Sequence, residues 1–302
     1  VGYFRPQRIT EVYAAAETIA AQQVASVREM CEFLQISRSA YYAWRRARPT
    51  AREDEDLELE LVPLVRAIFH RHRRRYGTRR IVEELRDMDR VCGRRRVAKL
   101  LNLQGLQAIQ PKSFKPRTTE SRHRLGYSPN LLLELEAIDR VNQLWVGDIT
   151  YVPLQGGRFS YLATLMDRFS RRIVGWQLGR DMTEQLVLDA LKKAIRSRRP
   201  AADLVHHTDR GGQYAGADYR QTLRRAAMRQ SMSRADNCYD NAFIESCFGT
   251  FKTELEMTEY ENHPAALKEI KTYIAYYNLD RKHSALGYLT PAQFEATLNH
   301  SD

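Results

Sequence analysis

The chain has 302 residues, 43% hydrophobic and 28% charged, which leaves room for two or three domains and at least one sizeable core. Its 48 lysines and arginines against 37 aspartates and glutamates give a net charge of +11, so the expected partner is a polyanion, nucleic acid ahead of an anionic membrane. No apolar run approaches the roughly 20 residues that span a bilayer, and no signal-peptide pattern opens the chain, so a membrane-spanning or exported protein is set aside in favour of a cytoplasmic one.

Residues 1–50 are predicted to be helical. Ile9, Val12, Tyr13, Ala16, Ile19 and Ala20 recur at helical spacing. Val27–Leu34, a polar turn and Ser39–Arg46, with Ser37 as N-cap, then give a helix-turn-helix outline. Ser39, Tyr42, Arg45 and Arg46 on its second helix are candidate DNA contacts; the alternative is a plain helical hairpin with Tyr41 and Trp44 in its core. Pro49–Asp56 reads as a charged linker, and residues 51–106 as a second, basic helix-turn-helix-like unit. Its apolar stripe is Leu57, Leu61, Leu64, Val65 and Ile68. Arg73, Arg74 and Arg75, then Arg79 and Arg80, then Arg94, Arg95 and Arg96 crowd its helix starts, where they can meet a phosphate backbone. Thr78 is placed to cap the helix that follows it. The four cysteines, Cys31, Cys92, Cys238 and Cys247, form no Cys-x-x-Cys pair and read as free thiols of a reducing compartment. His70, His72 and Cys92 lack the second cysteine that a structural zinc would need.

Residues 107–134 carry Pro111, Lys112, Lys115, Pro116 and Arg117 and read as a basic linker. From Asn142 the periodicity turns strand-like. Strands are predicted at Leu144–Pro153, Phe159–Asp167 and Arg171–Leu178, with a hairpin turn at Gly156-Gly157. A helix capped by Thr183, a strand over Leu204–His207, a helix over Asp218–Met228, a strand over Gln230–Ser233 and a helix from Asn241 complete a mixed α/β domain spanning residues 135–260. Residues 261–302 add a helical extension, with Pro291 in the first turn of its last helix.

Three acids of this domain stand out: Asp148 within a strand, Asp209 just past another, and Glu245 near a helix start. Three such carboxylates suit a pair of hard divalent cations such as Mg²⁺, which take oxygen ligands and leave positions for phosphate oxygens. Glu245, Phe248, Gly249, Lys252 and Glu256 fall on one helical stripe, so Lys252 is placed to grip a phosphate beside that site. A solvated helix face has the same spacing. On residue chemistry alone Asp167 and Asp236 compete with Asp148 and Asp209, Asp181 lies in the same domain, and Asp240 suits a helix cap. His207 and Asn241 are candidate supports behind the acids, and an interior histidine is the plainer reading of the first.

Longer motifs separate these alternatives. Trp145-Val-Gly-Asp-Ile-Thr-Tyr, His207-Thr-Asp-Arg-Gly-Gly-Gln-Tyr, Ser233-Arg-Ala-Asp-Asn-Cys-Tyr-Asp-Asn-Ala-Phe-Ile-Glu-Ser-Cys-Phe and Tyr277-Asn-Leu-Asp-Arg-Lys-His-Ser-Ala-Leu-Gly-Tyr resemble those of bacterial insertion-sequence transposases of the IS-three group, the retroviral-integrase-like DDE enzymes. The 35 residues between Asp209 and Glu245 match that group's spacing, and Lys252 matches its basic residue seven places after the glutamate. The resemblance implies a ribonuclease H-like core behind helix-turn-helix-type DNA-binding units. It implies Asp148, Asp209 and Glu245 as ligands of two Mg²⁺ or Mn²⁺ ions and Lys252 as a contact to terminal DNA. It further implies cleavage and 3′-OH joining through a copy-out circular intermediate, and homo-oligomers on paired double-stranded DNA ends. The start at Val1, without Met, suits a second-frame product fused to or helped by an upstream frame. The His-His-Cys-Cys zinc module of retroviral integrases is missing from the sequence, which passes end-binding to the helical units. A purely hydrolytic nuclease and a non-catalytic DNA-binding regulator are the rival readings.

Overall fold

A computed structural model describes residues 6–22, 25–110, 126–135, 137–234, 242–256 and 259–298. It divides into two compact units, Val1–Arg73 with Glu84–Gln107, and Arg74–Glu83 with Ala108–Asp302. Among the described residues no helix is long and apolar enough to cross a membrane.

The first unit is helical, with α1 (Pro6–Ala21), α2 (Val27–Phe33), α3 (Arg38–Arg71) and α5 (Arg94–Leu103). Ser26 opens α2 with a capping box: its hydroxyl accepts from the Glu29 N–H and the Glu29 carboxylate accepts from the Ser26 N–H. Ser37 caps α3 as predicted, accepting from the Ala40 N–H at 3.5 Å. Tyr13, Ala16, Met30, Cys31 and Tyr41 form a small core against which Trp44 packs, so Tyr41 and Trp44 take the structural role. The linker predicted over Pro49–Asp56 is instead the middle of α3, which runs unbroken from Arg38 to Arg71. Alanine, arginine, glutamate and leucine at residues 51–60 are strong helix formers, and the charge that suggested a linker also suits a solvated helix. The boundary predicted at residue 50 therefore falls within one helix. The unit predicted over residues 51–106 is also divided, because Arg74–Glu83 belongs with the second unit; this cuts α4 (Thr78–Asp87). Thr78 is the first helical residue, not the cap.

The second unit is built on a five-stranded sheet of order β3-β2-β1-β4-β5. The strands are β1 (Leu144–Leu154), β2 (Arg158–Asp167), β3 (Ile173–Gly179), β4 (Val205–Thr208) and β5 (Arg229–Met232). β1, β2 and β3 are antiparallel neighbours, whereas β4 pairs in parallel with both β1 and β5. Gly156 and Gly157 turn the first hairpin at φ +75° and +71°, a conformation that glycine takes without steric cost. One face of the sheet, with Val146 and Val152, is covered by α9 (Ala242–Glu254) and α10 (His263–Leu279). The other, with Trp145 and Leu165, is covered by α6 (Glu184–Arg198), α7 (Gly212–Ala215) and α8 (Ala217–Arg225).

The last helix, α11 (Pro291–Leu298), is tied down through buried Glu295. Its carboxylate accepts from Arg172 at 2.6 Å, from Arg198 at 2.8 and 2.9 Å and from Ser170 at 2.7 Å. Burial works against its charge, but the Arg198 and Ser170 hydrogen bonds prevail and hold the carboxyl below its usual value. A group whose folded pKa is depressed adds stability above its unfolded pKa and loses it as pH falls through the folded value. Glu295→Gln is therefore expected to cost about 2–3 kcal/mol at pH 7, and its urea-unfolding midpoint to fall less steeply than that of the wild type as pH drops below about 4.5.

Candidate active site and nucleic-acid contacts

Alternation along β1 sends Val146, Asp148 and Val152 to the face under α9, and Trp145, Gly147 and Ile149 to the opposite one. Gly147 lies opposite Thr208 of β4. A Cβ there would stand 2.9 Å from the His206 ring, so glycine at 147 leaves room for that imidazole on this face of the sheet. His206 is fully buried, its ring nitrogens on the Trp145 carbonyl and the Tyr219 hydroxyl, and burial lowers its pKa to about 3. One residue beyond this contact the strands deliver Asp148 and Asp209 side by side.

Each of these carboxylates is held by its own backbone. Asp148 Oδ1 accepts from the Ile149 N–H at 2.7 Å, and Asp209 Oδ1 accepts from the Gly211 N–H at 2.9 Å. Burial pushes the Asp148 carboxyl well above the usual range, and the neighbouring Asp209 charge pushes it further. The Ile149 N–H opposes this, Glu245 adds to it and Lys252 opposes it. Buried Tyr214 walls the pair; burial and then the two aspartate charges raise its hydroxyl pKa.

On α9, Ile244, Cys247, Phe248 and Phe251 make the buried stripe. Glu245, Gly249 and Lys252, at i, i+4 and i+7, flank it on one side. Phe248, predicted on the Glu245 stripe, belongs to the core, and Glu256 lies beyond the helix end at φ +54°. Glu245 is exposed and Lys252 half-buried. Burial lowers the Lys252 pKa against the pull of Asp148.

Asp167 occupies a different role from Asp148. It is fully buried and both oxygens are taken by backbone donors: Phe169 at 3.0 Å and Ser170 at 2.9 Å on one, Asn142 at 2.6 Å on the other. It braces the β2–β3 turn. Asp181 is exposed, and Asp236, Asp240 and Asn241 lie outside the described residues. His207 is interior, its nitrogens on the Ser231 and Ser233 hydroxyls of the β5 edge at 2.8 and 3.1 Å. Cys31, Cys92 and Cys247 are buried free thiols, and Cys238 lies outside the described residues.

Asp148, Asp209 and Glu245 offer only oxygen donors, the type that Mg²⁺ or Mn²⁺ prefers. Among the described residues no three His, Cys, Asp or Glu side chains form a ready metal cage. That is compatible with Mg²⁺, which is bound through one or two carboxylates with waters and substrate phosphates completing the shell. The mutual repulsion of Asp148 and Asp209 is the local feature that a cation would relieve.

The basic residues separate into two groups. Arg45, Arg46, Arg73, Arg94 and Arg95 of the first unit are exposed and Arg96 half-buried; Arg45 also lies 3.5 Å from Glu17. In the second unit Arg74 and Arg79 are exposed, with Arg74 3.7 Å from Glu256. Arg75 and Arg80 turn inward. The Arg75 guanidinium donates to the Glu254 carbonyl and lies over the Tyr273 and Tyr276 rings at 4.9 and 4.8 Å. Arg80 lies 3.5 Å from the Glu254 carboxylate. Their partners are far away in sequence, and no local signal distinguishes them from their exposed neighbours.

Residues 139–238 match the sequence profile described as integrase core domain, and residues 226–291 match a second profile of that description. Residues 54–114 match an HTH-like domain. The chain is 42% identical to the insertion element IS600 uncharacterized 31 kDa protein of Shigella sonnei, over 88% of this chain and 97% of that one. It is 38% identical to transposase InsF for insertion sequence IS3A of Escherichia coli K12, over 89% of this chain and 94% of that one. It is 39% identical to the transposase for insertion sequence element IS904 of Lactococcus lactis, over 76% and 91%. Among solved structures, the HTLV-2 integrase catalytic core domain in complex with magnesium aligns at 16% identity and a TM-score of 0.40, covering 51% of this chain and 95% of that one.

Asp148→Asn keeps the acceptor for the Ile149 N–H and removes the repelled charge. The metal-free variant is expected to melt about 2–4 °C above the wild type at pH 7, measured by differential scanning calorimetry with chelator. An unchanged or lower Tm would show that the Asp148–Asp209 repulsion is not felt in the folded chain.

Proposed function

Because the chain belongs to the IS3 family of insertion-sequence transposases and carries that family's integrase core, we propose that it cleaves the ends of its element and joins the exposed 3′-OH to target DNA by metal-dependent phosphoryl transfer. The observation that carries this reading is the β1–β4 pairing, which sets Asp148 beside Asp209 with Glu245 and Lys252 acting on the same carboxyl. Asp148, Asp209 and Glu245 would hold the ions. Two of them, Mg²⁺ or Mn²⁺, when bound supply Lewis acidity to the attacking and leaving oxygens of an in-line displacement. Asp148 sits on β1 and Asp209 directly follows β4, so both would keep the site in register with the sheet. Glu245, from the first turn of α9, would supply the third carboxylate, and Lys252 would offset phosphate charge beside it. No side chain of this chain serves as the nucleophile: water cleaves and a DNA 3′-OH joins.

The exposed Arg45, Arg46, Arg73, Arg94 and Arg95 of the first unit, with Arg74 and Arg79, are proposed to contact the DNA backbone and terminal repeats. On the family resemblance the reaction follows a copy-out route through a circular intermediate, carried out by several protomers on paired ends.

With oligonucleotides bearing the element's own end and Mg²⁺, joined products longer than the substrate are expected, which a hydrolytic nuclease would not make and a non-catalytic regulator could not. Asp148→Ala, Asp209→Ala and Glu245→Ala should each lower joining by at least about 10³-fold, or about 4 kcal/mol of barrier, while leaving DNA binding intact. Full joining by any one of them removes that residue from the site. Lys252→Ala should weaken end binding and reduce the slope of log K against log salt by about 1; an unaltered slope argues that Lys252 meets no phosphate.

A further inference from the structure

Alternation on α9 gives the helix a second flank. Phe243, Ser246 and Thr250 lie on the side opposite Glu245 and Lys252, with the buried stripe between. On that side the second unit has a pocket whose lining includes Arg80, Arg171, Ser246, Thr250, Arg281 and His283 and, among the described residues, no aspartate or glutamate. Three arginines around one cavity are costly to bring together without a counter-charge.

Only part of that charge is answered from within. Arg281 forms a two-pronged pair with buried Glu254, at 2.9 Å from Nε and 2.7 Å from Nη2, and turns its remaining nitrogen to His283 at 3.2 Å. Arg80 shares the same glutamate at 3.5 Å. Arg171 has no acidic partner among the described residues; its guanidinium stacks on Phe243 at 3.9 Å, and Arg168 stacks on the same ring. Burial, reinforced by Arg168, lowers the Arg171 pKa to about 10. His283 is held neutral, with a pKa near 2, first by burial and then by the charges of Arg281, Arg80 and Arg171.

The backbone adds a separate observation. Arg171 has φ +62°, a left-handed conformation that costs a non-glycine residue about 1–2 kcal/mol. The turn that imposes it is the one braced by Asp167: the Arg171 N–H donates to the Asp167 carbonyl, and the Asp167 carboxylate accepts from Phe169 and Ser170. A glycine would fill this position more cheaply, yet an arginine is there, with its guanidinium in the pocket.

We infer that this pocket is a phosphate site, taking a tetrahedral oxyanion between the Arg171 guanidinium and the Ser246 hydroxyl in the field of Arg80 and Arg281. Assigning that phosphate to a DNA strand rests on the proposed transposase reading; the anion site itself does not. The site lies on the opposite flank of α9 from the carboxylates, so it would hold the strand at a second point away from the scissile bond.

The test uses the full chain and two probes. Inorganic phosphate at about ten times its Kd should raise the wild-type Tm by about 3 °C over equal ionic strength of chloride. Arg171→Gly removes the guanidinium at a φ that glycine accepts, and should fold and lose that gain; Ser246→Ala should reduce it. No gain in the wild type, or an equal gain in Arg171→Gly, overturns the site. With a duplex oligonucleotide, Arg171→Gly should bind about 5–20-fold more weakly, with a salt slope smaller by about 1. A lost phosphate effect with unchanged DNA affinity and slope overturns the assignment to a DNA phosphate. A wild type that shows the phosphate effect but joins no ends overturns the transposase reading and leaves the anion site standing.

Discussion

Where β1 and β4 pair in parallel at the centre of the sheet, Gly147 leaves the His206 ring just enough room on one face. A side chain at 147 would have to displace a fully buried imidazole already fixed by the Trp145 carbonyl and the Tyr219 hydroxyl. Because the strands are parallel and in this register, their next residues outward are both aspartates. The fold thus forces together two charges that would separate if free to do so. The repulsion is tolerated because both faces of the same strands are covered by large apolar side chains, each contributing about 1.5–3 kcal/mol on burial. Stability is supplied by packing, and the acids are positioned at its expense.

The helix α9 carries this constraint outward. Four apolar residues seat it on the sheet, so the side chains on its flanks have fixed directions. Its last residue, Glu254, is buried and paired with Arg281, which anchors the C-terminal end, while Phe243 near its start lies against Arg168 and Arg171. Glu245 and Lys252 therefore face one side and Ser246 and Thr250 the other. Removing one partner of the Glu254–Arg281 pair would leave an uncompensated buried charge and loosen both flanks at once.

The strands and helices of the second unit were legible because apolar alternation switches clearly to period two near Asn142 and back to helical spacing at α6. Asp148, Asp209 and Glu245 could be nominated from residue type and element position, but not ranked above Asp167 by those alone. What separates Asp167 is three backbone donors, one of them Asn142, which chain folding alone brings to it. The same limit explains Arg75 and Arg80: in sequence they belong to a basic run, and in space they belong to Glu254, Tyr273 and Tyr276. At Pro49 the difficulty is another one. A charged, alanine-containing segment has the composition of a linker and equally of a solvated helix, and continuity with strong helix formers on both sides decides for helix.

Net charge needs the same care. An internal ion pair removes one charge of each sign and leaves the balance unchanged, so +11 says nothing by itself about where the excess lies. Here Glu254 gathers Arg80 and Arg281, and Glu295 gathers Arg172 and Arg198, four arginines on two glutamates. These arginines hold the second unit together, and most of the positive excess is left to residues outside those networks. Arg94 and Arg95 at the start of α5 are the clearest case on the surface, since the positive end of the helix dipole adds to their field instead of offsetting it. Such an arrangement costs the isolated protein stability and makes sense where an anion is to be bound.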